Sequence, residues 1–329
     1  MNARGAPVLR QPLLRQTGAW WRHRATWASV CAALLLGSGI ASDCAVALAG
    51  EGGGTGRTET FADIEYARPG GRALRVDLHR NLAARPSPVL VHVHGGGWSR
   101  GARPPRKAFA SALAMGFSVV AVEYRLAGEA HAPAAVRDVR CALAWVGRHA
   151  VRYGLDASRI VVEGVSAGAH LALLAVLAGD DPEFDAGCGP VPPVAVLIDR
   201  FGIADVQAWR PASGAVARWI GPRADAADYA ARLSPIRYLH RAMPPLFIVH
   251  GDADPVVPFA QSRRLHDAVR ALGVPVALQV VAGGGHGGFT NAQAAAIDAA
   301  LCLFLRGHGV PACGGRPARS PDPGKGGDP

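Results

Sequence analysis

Lysine is nearly missing from this chain of 329 residues. It occurs only at Lys107 and Lys325, so almost all of the 35 basic residues are arginine, against 25 acidic ones. The arginines are scattered, and no basic run is interleaved with aromatics. A formal charge of +10 laid out in this way lacks the stripe that nucleic acid would need, and no nucleic-acid partner is expected. There is no internal repeat. The 41 glycines and 25 prolines follow no period, which excludes solenoid and collagen-like architectures. Histidines, cysteines and carboxylates do not cluster at zinc spacing, and no G-K-[ST] follows the glycines at 283–285. No metal, phosphate loop or cofactor is therefore expected.

The first fifty residues do not read as part of a fold. Arg4, Arg10, Arg15, Arg22 and Arg24 form a positive segment, 28–40 is a short apolar run, and Ala45-Val46-Ala47 offers a small-residue cleavage site. That is the order of a secretory signal peptide, here over 1–47. The run falls short of the ~20 residues of a membrane span. Export to the periplasm or medium is expected, with no stable membrane span after cleavage. The alternative is an uncleaved anchor extended at the interface by Trp20, Trp21 and Trp27. Cleavage leaves Cys141, Cys188, Cys302 and Cys313, enough for two disulfides. Cys302 and Cys313 are close in sequence and form the favoured pair, with Cys141 and Cys188 remaining; sequence alone leaves the three pairings, and free thiols, open.

Residues 48–60 are rich in Gly and Thr and read as a linker; 308–329 reads as a flexible tail. One domain, 61–307, lies between them. Strands are expected at 74–79, 88–94, 117–124, 160–165, 194–198, 246–250 and 276–281. Helices are expected at 106–115, 134–153, 167–177, 262–272 and 291–305. Strands apolar on both faces that alternate with helices predict an α/β fold with a mostly parallel sheet covered on both sides. Residues 205–240 interrupt the alternation. They read as a small excursion over the strand ends, or as an ordinary long connection.

Four segments carry chemistry. Gly164-Val165-Ser166-Ala167-Gly168 follows a buried strand and opens a helix, the context in which G-x-S-x-G exposes a nucleophilic serine. His94-Gly95-Gly96-Gly97-Trp98 also follows a strand. Its glycines let backbone N–H groups converge, so the N–H groups of Gly96, Gly97 and Ala167 are the candidate oxyanion donors. A hydroxyl needs a base with a pKa near neutrality, and His286 in Gly283-Gly284-Gly285-His286-Gly287 supplies a histidine. The histidine needs a carboxylate to fix its tautomer. Asp252 and Asp254, in 250–258, compete for that role, and a short acid also suits a turn cap. The chain order Ser, Asp, His is that of α/β-hydrolases. His92, within a strand, and His170, within a helix, read as structural. Trp98, Trp209 and Trp219 are candidates to line a substrate pocket.

Taken together, HGGGW at 94–98, EYRL at 123–126, YGLDASRI at 153–160, GVSAGAHLA at 164–172, HGDADPVVP at 250–258 and GGGHG at 283–287 resemble the α/β-hydrolase esterases. The resemblance covers roughly 60–307. It is nearest the branch of hormone-sensitive-lipase-like, feruloyl- and acetylxylan-esterase-like and arylformamidase-like enzymes. It implies an α/β-hydrolase fold with a small cap or none, and Ser166, Asp254 and His286 as catalytic residues. Asp254 takes the acid role because it matches the family's H-G-x-x-D aspartate. Val165 and Ala169 depart from the lipase-like G-D-S-A-G-G, and Ser-Ala-Gly-Ala-His is closer to the formamidase and feruloyl-esterase side. The implied function is a serine carboxylesterase for small or medium acyl esters, free or linked to polysaccharide, working through an acyl-enzyme. The alternatives are an arylformamidase-like amidase and a non-catalytic binding protein on the same fold.

Overall fold

Val89, Val91 and Val93 alternate with Leu90 and His92 along one strand, so both faces of that strand need cover. The computed structural model describes residues 57–179, 181–210 and 213–313. It provides that cover with one eight-stranded sheet. The strands are β1 (Thr58–Ala67), β2 (Leu74–Asn81), β3 (Ser87–Val93), β4 (Ser118–Val122), β5 (Leu155–Val165), β6 (Val196–Arg200), β7 (Leu246–Gly251) and β8 (Val276–Val281). Their order is β1-β2-β4-β3-β5-β6-β7-β8. β2 runs antiparallel to β1 and β4, and the strands from β4 to β8 are parallel. The helices are α1 (Ala110–Ala114), α2 (Ala134–Tyr153), α3 (Ala167–Leu177), α4 (Val206–Trp209), α5 (Gly214–Ile220), α6 (Ala226–Arg232), α7 (Ala260–Ala271) and α8 (Asn291–Gly307).

Pleating sends alternate residues of β5 into two separate cores. Val162 belongs to the core that also holds Leu143 of α2, Leu171 of α3 and Leu265 of α7. Val161 faces the other way, with Leu113 of α1 and Leu301 of α8. β3, β4 and β7 are buried along their whole length, whereas β1 and β8, at the sheet edges, are only partly covered. The expected mostly parallel, doubly covered sheet is present.

The structure moves both expected boundaries of the domain, and it starts β5 at Leu155, five residues before the expected strand. β1 starts at Thr58, inside the stretch read as a linker. It is an edge strand in which four of ten residues are exposed and only Tyr66 is buried, so it carries little hydrophobic signal. At the other end, 308–313 is not a loose tail. Val310 and Ala312 are buried, and Cys313 donates its N–H to Met115 O at 2.8 Å and is bonded to Cys302. The second disulfide joins Cys141 of α2 to Cys188, so both bonds follow the favoured pairing. The segment expected to be a signal peptide, 1–47, most of the expected linker and residues 314–329 lie outside the described residues.

The described residues of the excursion between β6 and β7 form three short α-helices and a 3-10 turn, Pro235–Tyr238. Asp205 caps α4 by accepting the Ala208 N–H at 2.9 Å, and Ser213 caps α5 through Val216 N–H. Among the described residues no helix is long and apolar enough to cross a membrane.

Candidate active site

In a parallel sheet every strand delivers its following loop to the same edge. β5 is central, with β3 on one side and β6, β7 and β8 in turn on the other. The segments that follow β3, β5, β7 and β8 are the four that the sequence singled out, and the topology brings them to one rim.

Ser166 sits between β5 and α3 with φ 55° and ψ −122°, a conformation that L-residues avoid. Tight packing holds it there. A Cβ at Gly164 would lie 2.3 Å from Ala169 Cα, and one at Gly168 would lie 2.2 Å from Val93 O. Only glycine lets α3 approach β5 and β3 this closely. The Ser166 N–H donates to Arg200 O of β6 at 2.9 Å.

His286 Nε2 lies 2.9 Å from Ser166 Oγ, and its Nδ1 lies 2.7 Å from Asp254 Oδ2. A carboxylate only accepts, so Nδ1 carries the proton and Nε2 is left to accept from the serine hydroxyl. The Asp254 side chain is wholly buried. Burial opposes its charge, but the bond from His286 and the N–H groups of Val256 (2.7 Å) and Val257 (3.0 Å) outweigh it and hold the carboxyl below its ordinary pKa. Asp252 does something else: it is exposed, and its Oδ1 accepts the Gly283 N–H at 2.7 Å, tying the β7 turn to the β8 turn.

Gly96, Gly97 and Trp98 have φ of 117°, 60° and 56°, three successive residues in the left-handed region. This turn passes over the serine, since a Cβ on Gly95 would lie 3.3 Å from Ser166 Cβ. Among the described residues the Gly96 and Gly97 N–H groups donate to no backbone carbonyl. Ala167 opens α3, where an N–H has no partner within its own helix. The three expected donors therefore belong to two segments that meet at Ser166.

The tryptophans require a correction. Trp98 and Trp219 are fully buried and stack on each other, with ring centroids 4.7 Å apart and planes 13° apart. An indole with no exposed surface cannot line an open pocket, so these two are core residues, Trp98 beneath the excursion and Trp219 on the excursion's α5. Trp209 is half-buried and lies 6.4 Å from Trp98.

Sequence reasoning passed over His250, which bonds Asp254, Phe201, which packs on His286, and Asp199, which closes the turn that carries Phe201. His250 Nε2 donates to the same Asp254 Oδ2 at 3.1 Å and to Val257 O at 3.0 Å, while its Nδ1 faces Ser262 Oγ at 2.7 Å. Burial lowers its pKa and keeps it neutral, and it steadies the acid from behind. Its signal was visible as the first residue of 250–258. Phe201, at φ 45°, sets its ring 4.7 Å from the His286 ring. Asp199 closes the turn under it, with Oδ1 accepting the Gly202 N–H at 2.7 Å. Burial raises the Asp199 pKa to about 7 against the weaker pull of that N–H, and its Oδ2 is buried with no partner among the described residues. Neither Phe201 nor Asp199 lies in a recognisable motif.

On the opposite face of β5, burial works against Glu163, but the Arg200 guanidinium and His92, 2.9 Å away, hold it down at about 2. His92 is structural, as its place in a strand implied. Among the described residues no three His, Cys, Asp or Glu side chains are grouped to hold a metal.

The sheet, the elbow after β5 and the order of the segments at its rim define an α/β-hydrolase fold. The chain belongs to the BD-FAE family, whose sequence profile matches residues 76–269. A profile for TAP-like proteins matches 222–317. Esterase LipQ of Mycobacterium tuberculosis is 34% identical over 224 residues, which make up 64% of this chain and 53% of LipQ. Esterase LipC of the same organism is 28% identical over 265 residues, 74% of this chain and 64% of LipC. The chain thus spans between about half and two thirds of the length of these curated relatives. Among solved structures, a truncated carbohydrate esterase from gut microbiota superposes with a TM-score of 0.65 at 26% identity, covering 73% of this chain and 94% of that one.

Proposed function

We propose that the chain is a serine carboxylesterase that cleaves small or medium acyl esters, including acyl groups carried on carbohydrate. The observation that carries this reading is the continuous line from Ser166 Oγ to His286 Nε2 at 2.9 Å and from His286 Nδ1 to Asp254 Oδ2 at 2.7 Å. Kinship with proteins named as esterases supports the reaction type, and the carbohydrate-esterase neighbour supports the substrate class.

In the proposed cycle His286 Nε2 takes the hydroxyl proton as Ser166 Oγ attacks the ester carbonyl. The new oxyanion accepts hydrogen bonds from the N–H groups of Gly96, Gly97 and Ala167. His286 then gives its proton to the leaving alkoxide, and the acyl group remains on Ser166. Water adds to the acyl-enzyme with His286 again as base, and the acid departs. The buried, ionised Asp254 stabilises the imidazolium in both halves. We further propose that the protein is exported on its N-terminal segment, a compartment in which its two disulfides would persist.

The test is hydrolysis of p-nitrophenyl esters from acetate to dodecanoate, and of acetylated xylan, by the mature protein and by Ser166→Ala. Turnover of short esters that Ser166→Ala abolishes is the expected result. Faster turnover of an N-formyl anilide than of any ester would favour the amidase instead. A folded protein inert on every substrate would sink the catalytic reading.

A further inference from the structure

His170 stands one helical turn after the nucleophile, its N–H donating to Ser166 O at 3.2 Å. The proposed cycle does not use it, yet it is completely buried and both ring nitrogens are engaged. Trp98 Nε1 donates to His170 Nδ1 at 3.2 Å, and His170 Nε2 donates to Leu233 O at 2.8 Å. An indole N–H can only donate and a carbonyl can only accept, so the ring is neutral with its proton on Nε2. Burial supports this by holding its pKa down at about 4. The ring also stands edge-on to Trp98 and Trp219, with centroids 5.2 and 4.9 Å away.

These contacts join three parts of the site. Trp98 ends the turn that carries the Gly96 and Gly97 N–H groups, and it holds a left-handed φ that a residue with a side chain adopts only when its surroundings impose it. Its ring is what the surroundings grip. Leu233 follows α6 in the excursion, and Trp219 belongs to α5, whose Ala215 lies 3.6 Å from where a Cβ on Gly97 would be. A single imidazole therefore ties the nucleophile helix, the glycine turn and the excursion together.

We infer that His170 is a positioning residue: by accepting the Trp98 N–H it fixes the direction of the Gly96 and Gly97 amides. The inference rests on the esterase reading above. Removing one oxyanion donor outright costs roughly 100- to 1000-fold in kcat. A donor that is misdirected but still present should lose part of that, roughly 10- to 100-fold.

The experiment uses Trp98→Phe, which keeps a stacked ring and deletes only the N–H, together with His170→Leu and the double variant. Rates on p-nitrophenyl acetate are normalised to the active-site count from titration with a p-nitrophenyl phosphonate. Expected is a fall in kcat of roughly 10- to 100-fold with KM changed less than about threefold, for Trp98→Phe and for His170→Leu. The inhibition constant of a trifluoromethyl ketone, whose adduct bears an oxyanion, should rise in step with the loss in kcat/KM. The double variant should cost no more than the worse single one. If Trp98→Phe lowers Tm but leaves kcat per active site within twofold, the role is packing alone and the inference is overturned; additive losses overturn it as well. Wild-type activity that survives Ser166→Ala would instead overturn the esterase reading, and the inference would fall with it.

Discussion

Replacing Asp199 by asparagine should stabilise the protein at pH 8 and leave its stability nearly unchanged at pH 4. Asp199 lies buried on β6, with one oxygen bonded to Gly202 N–H and the other without a partner among the described residues. Its carboxyl is raised from 3.8 to about 7, with burial as the cause. A native state that holds this proton to a higher pH than the unfolded chain binds more protons between those values. Stability must therefore fall as pH rises from near 4 to near 7, and the whole penalty is present above that. At about 1.4 kcal/mol per pH unit, a displacement of about three units costs the ionised native protein about 4 kcal/mol. Asparagine has the same shape and keeps the oxygen for Gly202, but it never ionises. At pH 4 both side chains are neutral, and each leaves one polar group unpartnered, so the two proteins should match. The assay is urea unfolding of both proteins from pH 4 to pH 8.5 with disulfides intact, since the other titrating groups are common to the pair and cancel. The expected gap grows from near zero to as much as ~4 kcal/mol in favour of Asp199→Asn. A gap that stays constant across the range, or one that favours the wild type as pH rises, would refute the reasoning.

Asp254→Asn should lower kcat on p-nitrophenyl acetate by about 10⁴ with the fold intact, because the imidazole loses the partner that fixes its tautomer. Asp252→Asn, at an exposed side chain that accepts the Gly283 N–H, should stay within a few-fold of wild type; reversed outcomes in steady-state kinetics would exchange the two roles. His250→Ala removes the second hydrogen bond on Asp254 Oδ2 and should cost roughly tenfold in kcat as well as lowering Tm, as a buried network partner does. Replacing each cystine by two serines should destabilise by about 4 kcal/mol for Cys141–Cys188 and about 3 kcal/mol for Cys302–Cys313, following the loop each one closes. Calorimetric melts of the two variants that reverse this order would point to strain or residual structure rather than chain entropy.

Much of the site could be read from the sequence because its parts lie at strand ends. A buried strand announces itself by composition, and the residue after it is where a parallel sheet exposes chemistry. Ser166, His286 and the Gly96-Gly97 turn each sit in a short glycine-marked segment after such a strand. The choice between Asp252 and Asp254 could not be made from spacing, since both follow β7; it depends on which carboxylate turns inward, a matter of two residues in one turn. β1 escaped for the opposite reason, because an edge strand facing water has no hydrophobic run to reveal it.

The misplaced tryptophans show where local reading stops. Trp98 next to a proposed oxyanion turn looks like a pocket wall, since an aromatic beside a reacting group is commonly taken as a binding surface. Whether a ring faces the substrate or the core depends on what covers it, and here the cover comes from residues more than a hundred positions away: Trp219 on α5 and Leu233 after α6. The excursion thus has a use that its loop-like sequence did not disclose. It buries the ring that anchors the glycine turn, with Trp219 stacked on Trp98 and His170 edge-on to both. The same holds for Phe201, whose ring contact with His286 arises from the pairing of β6 with β5 and β7 rather than from any pattern along the chain. In this protein the groups that react are marked in sequence, whereas the groups that aim them, Trp98 and His170, are marked by burial and by the hydrogen bonds that join them to distant segments. Those are the positions at which substitution should change kcat without touching a catalytic atom.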